Sequence, residues 1–85
     1  MVLRLLKKPE ILERHLLRPS TLYEHIRNGV FTPPIRSSSH TSAWPEHESD
    51  AIICARIVGR TDEELRELVR QLVADRAKLA DRISA

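Results

Sequence analysis

Eighty-five residues make one small domain with a modest core, so stability is expected to be slim or helped by self-association. The chain is 41% apolar and 31% charged, with a formal net charge of +2. No apolar run approaches membrane-spanning length, and Met1 to Leu6 is too short for the core of a signal peptide. One cysteine, Cys54, excludes an internal disulfide and fits a reducing cytoplasm. The charge is uneven: residues 1–43 carry seven Lys/Arg against three acids, a net of +4, and residues 44–85 carry seven against nine, a net of −2. A basic half suits phosphate; its plainer reading is a solvated surface.

Pro9 suits a first helical turn, where an N–H would be unpaired anyway, and predicts a short helix to about Arg14 with Ile11 and Leu12 inward. A break follows at His15-Leu16-Leu17. Pro19 opens a second helix, with Leu22 and Ile26 on its buried face, that stops at Gly29. Two short helices joined by a tight turn make a helix-turn-helix candidate. Pro33-Pro34 forbids helix, and Ile35-Arg36, the serine run and Thr41 to Trp44 read as a β-hairpin with a polar tip, a wing. A third helix begins at Pro45, with Glu46 and Glu48 favouring its dipole, Ile52, Ile53 and Ile57 inward, and Gly59 as cap. Thr61-Asp62-Glu63-Glu64 is a capping box that starts a fourth helix running to about Ile83.

The fold class expected is mainly α: a winged helix-turn-helix over residues 1–58, with a short β-hairpin wing and an added C-terminal helix over 60–85. Leu5, Leu6, Ile11, Leu12, Leu17, Leu22, Ile26, Phe31, Ile35, Trp44, Ile52 and Ile53 form the expected core, Trp44 as a packing anchor. In the fourth helix Leu65, Leu68, Leu72 and Leu79 form a heptad-like stripe, interrupted by Asp75 and Arg82 at the alternate positions. The stripe either folds back or pairs with another chain; self-association is the expectation, so truncation after Gly59 should abolish it.

No catalytic constellation stands out, and the chain is not expected to be an enzyme. No motif resembles a nucleophile elbow, and two glycines cannot build a phosphate-cradling loop. His15, His25, His40 and His47 form no metal pattern, and one cysteine cannot supply a Cys-rich zinc site, so neither metal nor cofactor is expected. Cys54 is expected to pack as a small apolar group.

The run Leu5-Leu6-Lys7-Lys8-Pro9-Glu10-Ile11-Leu12-Glu13-Arg14 resembles the opening of the AlpA family of prophage regulators, winged helix-turn-helix proteins related to the MerR and excisionase groups. The resemblance continues through Leu17, Ser20-Thr21-Leu22-Tyr23, Ile26-Arg27-Asn28-Gly29, Phe31, Pro34-Ile35-Arg36 and Trp44, and ends with Glu46, Glu48, Asp50 and Ala51. Four residues depart from it. Leu16 stands where the family usually has glycine, so the turn is expected to be built differently. Arg18-Pro19 replaces a common Ser-Arg, and His40 stands where an arginine commonly marks the wing.

What the resemblance implies is sequence-specific binding of double-stranded DNA in a bacterial cytoplasm, at the nucleoid, in the service of a prophage or integrative element. The second helix would read the major groove through Arg18, Ser20, Thr21, Glu24 and Arg27, with Tyr23 either on DNA or packed on the first helix. Ser20 or Thr21 could instead cap that helix. Arg36, Ser38, Ser39 and His40 are the wing candidates, and Lys7 and Lys8 would touch backbone phosphate. Dimers or cooperative oligomers are the usual remedy for few base contacts. A transcription regulator is the first output. The alternatives are a recombination directionality factor bending DNA beside an integrase, an antitermination factor contacting RNA polymerase, and a protein-interaction adaptor without DNA binding.

Overall fold

The computed structural model describes residues 3–84, with side chains through 81. In chain order it contains β1 (Leu5–Lys7), α1 (Lys8–His15), α2 (Pro19–Arg27), β2 (Ile35–Ser38), β3 (Thr41–Pro45), α3 (Glu46–Ile57) and α4 (Asp62–Ser84). The four helices pack with one antiparallel three-stranded sheet in the order β1-β3-β2. The architecture is therefore mixed, rather than mainly α with a lone hairpin. The unforeseen strand is β1, which pairs Leu5 with Pro45, Leu6 with Trp44 and Lys7 with Ala43. Alternation along so short a strand turns Leu6 inward and leaves Leu5 45% exposed, so Leu5 is not core.

The core gathers Leu6, Ile11, Leu22, Phe31, Trp44 and Ile52, with Leu12, Leu17, Ile26 and Leu72 packed around it. Trp44 is its anchor: fully buried, set edge-on to Phe31, its indole N–H donating to the Thr32 carbonyl at 2.9 Å. Ile35 and Ile53 are only half-buried.

Helix α3 is rotated from the expected face. Its buried residues are Glu48, Ser49, Ile52 and Ala55, whereas Ile57 is 78% exposed and Cys54 lies on the surface. Two polar residues hold the inner stripe because each finds a partner. Ser49 Oγ lies 2.8 Å from His15 Nε2. Burial first, then the charges of Arg56 and Arg14, lower the His15 pKa from 6.5 to about 4, so the ring is neutral at pH 7. Glu48 accepts two hydrogen bonds from Arg76, each 2.7 Å.

Arg76 belongs to α4, and this pairing decides how the long helix lies. The row facing the domain is Leu65, Val69, Leu72, Arg76 and Leu79, at i, i+4, i+7, i+11 and i+14. Leu65 is 1% exposed in a second cluster with Val30 and Ala55, joined by Leu68, while Leu72 reaches the main core. Leu79 borders an apolar depression with Leu3, Leu5, Ile35 and Pro45. Of the stripe expected to self-associate, Leu65 is thus closed off by this chain's own residues, and Leu68 and Leu72 are largely covered. Asp75 is half-buried and Arg82 lies outside the described side chains. The capping box forms as expected: the Glu64 N–H donates to Thr61 Oγ1 at 3.2 Å and the Thr61 N–H to Glu64 Oε1 at 3.0 Å. Hydrogen bonding to the carboxylate, from the Thr61 N–H first and then the Thr61 side chain, lowers the Glu64 pKa.

The α1–α2 turn pivots on Leu16, whose φ of 55° is the one positive value at a non-glycine among the described residues. Leu16 thus takes the left-handed conformation that glycine favours. That geometry costs an L-residue about 1–2 kcal/mol, and Leu16 is 90% exposed, so its side chain gains little within the chain. Asn tolerates the same region. Leu16→Asn is therefore expected to stabilise the fold by roughly 0.5–1 kcal/mol, raising Tm by a few degrees in a thermal melt. A lowered Tm would mean that Leu16 packs better than its exposure indicates.

Candidate functional site

Three elements far apart in sequence converge on one polar groove. Lys7, Lys8 and Pro9 come from the β1–α1 junction, Tyr23 from α2, and His40, Thr41 and Ser42 from the hairpin tip and β3. Antiparallel pairing with β3 places β1, and hence the start of α1, beside the hairpin, while the turn at Leu16 folds α2 back across α1. Lys8 Nζ donates to the Tyr23 hydroxyl at 3.3 Å and lies 5.2 Å from the ring centre. Tyr23 stays 42% exposed, so it both contacts α1 and presents an edge to the groove.

On α2 itself, Leu22 is buried and Ile26 half-buried, which turns Arg18, Ser20, Glu24 and Arg27 to solvent; Thr21 is half-buried. Neither Ser20 nor Thr21 caps the helix. The N-cap is Arg18, and no side-chain bond closes that end, because Pro19 takes the first helical position. Both hydroxyls are left for other partners.

In the hairpin Arg36, Ser38, Ser39 and His40 are all exposed. The Arg36 guanidinium curls over the tip and donates to the Ser39 carbonyl at 3.0 Å, and the strand register shifts between Arg36 and Ser38. Of the wing candidates only His40 lines the groove with Lys7 and Lys8.

No family model matches the chain, and no solved structure matches it. The chain is 39% identical over 57 residues to Uncharacterized protein ORF88 of Enterobacteria phage P4. That match covers 67% of this chain and 65% of the phage protein, so the chain spans just under two thirds of that relative's length.

Thr41 and Ser42 belong to the groove without having been singled out in the sequence. A second unexpected neighbour is Arg66 of α4, whose Nε donates to the Asn28 carbonyl at 2.9 Å, with its side chain beside Gly29. It places a cation at the carbonyl end of α2, where the helix dipole favours one. The partners lie 38 residues apart, and no local pattern signals such a contact. Among the described residues no group of His, Cys, Asp or Glu could hold a metal ion, and no helix is long and apolar enough to cross a membrane.

Proposed function

We propose that this chain binds double-stranded DNA sequence-specifically, as a winged helix-turn-helix protein of the AlpA kind that regulates a prophage or integrative element. In this reading α1 and α2 are the helix-turn-helix, and the β2–β3 hairpin is the wing. The observation that carries it is the groove in which Lys7, Lys8, Tyr23 and His40 meet from three separate elements. Ammonium groups at its wall suit backbone phosphate, and the exposed row Arg18, Ser20, Glu24 and Arg27 on α2 offers donors and an acceptor to base edges. The similarity to a phage protein fits a mobile element. The role is binding, with no catalytic step.

The test is a footprint of the 85-residue chain on the DNA upstream of its own coding sequence and on the end of its host element. Protection should weaken steeply with salt, because each phosphate contact releases counterions. A short site over a promoter is the expected result; a long phased array beside an attachment site would assign a directionality factor instead. Arg27→Ala should weaken the specific complex by about 1–3 kcal/mol if it reads a base. Absence of protection on both fragments, or binding indifferent to salt, would overturn the reading.

A further inference from the structure

Leu16 sits in a left-handed conformation at φ 55° with 90% of its surface exposed. Neither its backbone nor its packing explains a large aliphatic side chain there. It is not isolated. Ile57 is 78% exposed and Val58 66% exposed at the end of α3, and Leu16, Ile53 and Ile57 border one depression. Arg14, His15 and Arg56 complete its rim. Arg14 is answered by Glu46 at 2.9 Å and Asp50 at 3.2 Å. Arg56 has no carboxylate within ion-pair distance among the described residues. His15 is neutral at neutral pH, and the charges of Arg56 and Arg14 act on it more strongly than that of Asp50. The depression is thus apolar, with an unanswered positive charge at its edge.

We propose that the Leu16–Ile57 depression docks a protein partner through an amphipathic helix whose apolar side chains enter between Leu16 and Ile57 and whose carboxylates face Arg56. An exposed apolar cluster with a charged rim is the usual form of such a surface. Charge selects this occupant over two others. A second copy joined on this small patch about a two-fold axis would bring a second Arg56 into the interface, and no carboxylate lines the depression to answer either one. Nucleic acid would satisfy Arg56 but press three aliphatic side chains against a polyanion. The surface lies beyond the carboxyl end of α1, whereas the Lys7–Lys8 groove lies at its start.

The experiment is a nitrogen-15 NMR titration of the full chain with two synthetic helical peptides. Both carry leucines at i, i+3, i+4 and i+7; one is flanked by glutamates, the other by lysines. The acidic peptide should saturate, with shifts confined to residues 14–16 and 53–58, and bind roughly tenfold tighter than the basic one. Leu16→Asn should weaken it by a similar factor with the spectrum otherwise retained, and Arg56→Glu should reverse the preference between peptides. Failure of both peptides to saturate, or equal affinity for the two, would overturn the proposal. So would sedimentation of the free chain as a dimer that Leu16→Asn dissociates, which would assign the surface to a second copy.

Discussion

Replacing Arg76 with methionine is expected to destabilise the chain by about 3–5 kcal/mol, the usual cost of stripping one partner from a buried ion pair. Glu48 is fully buried, and both its oxygens are bonded by Arg76, at 2.7 Å each. A third bond from the same guanidinium, also 2.7 Å, reaches the carbonyl of Pro33 in the segment that leads into β2. Methionine keeps the aliphatic stem but leaves a carboxylate and a carbonyl without donors. The single tryptophan, Trp44, is buried next to that segment and reports unfolding in urea. With a slope of about 1 kcal/mol/M for so small a domain, the midpoint should fall by roughly 3 M or more, enough to unfold much of a marginally stable chain.

The double variant Glu48→Leu with Arg76→Met separates charge from shape. Exchanging both members of a buried pair for apolar groups of similar volume is often neutral or stabilising. It should recover most of the loss, short of the unanswered Pro33 carbonyl. A single Arg76→Met variant that loses less than about 1 kcal/mol would mean that water reaches Glu48, which is inconsistent with its burial.

That pair also explains where the sequence misleads. Hydrophobic periodicity locates α1, α2, the hairpin and the start of α4, because their signals are local: Pro9 and Pro19 at first turns, Gly29 and Gly59 at φ 78° and 80°, and the Thr61–Glu64 capping box. It fails on α3, where an apolar pattern points to Ile53 and Ile57 while Glu48 and Ser49 occupy the buried face. A charge reads as surface until its partner is known, and the partner lies 28 residues away. The same blindness splits α4. Reading Asp75 as the break in a leucine stripe hides the true row, in which Arg76 takes an inward position and is answered by Glu48. Strand β1 escapes because its three residues, Leu5 to Lys7, are too few to show alternation.

The candidate site divides in the same way. Lys7, Lys8, Tyr23 and His40 each stand out by residue type, yet nothing in their spacing says that they share a groove; antiparallel pairing of β1 with β3 brings them together. Arg36 shows the reverse case, with its guanidinium folded on the carbonyl of Ser39 at the hairpin's own tip.

Removing residues 60–85 is expected to unfold what remains, rather than to release a folded domain that merely loses an appendage. Loss of Leu65 and Leu68 would leave Val30 and Ala55 open to water, Val69, 6% exposed, would be lost with them, and burying large aliphatic side chains of this kind contributes about 1.5–3 kcal/mol each. Leu72 would leave the main core, Arg66 the end of α2, and Arg76 the buried carboxylate of Glu48. The combined loss matches the whole stability of about 5–15 kcal/mol that a small domain possesses. Circular dichroism and Trp44 emission of the truncated chain should show no cooperative melt. A fragment that melts cooperatively near the full-length Tm would instead make α4 an accessory free to serve a partner. The distinction bears on the proposed function: where the fragment is unfolded, any DNA binding lost on truncation reports unfolding and not a missing contact. Arg66→Ala in the full chain is the cleaner probe: it frees the Asn28 carbonyl at the surface and leaves every core residue in place. A fall in DNA affinity with an unchanged melt would identify α4 as the splint that sets the pose of α2.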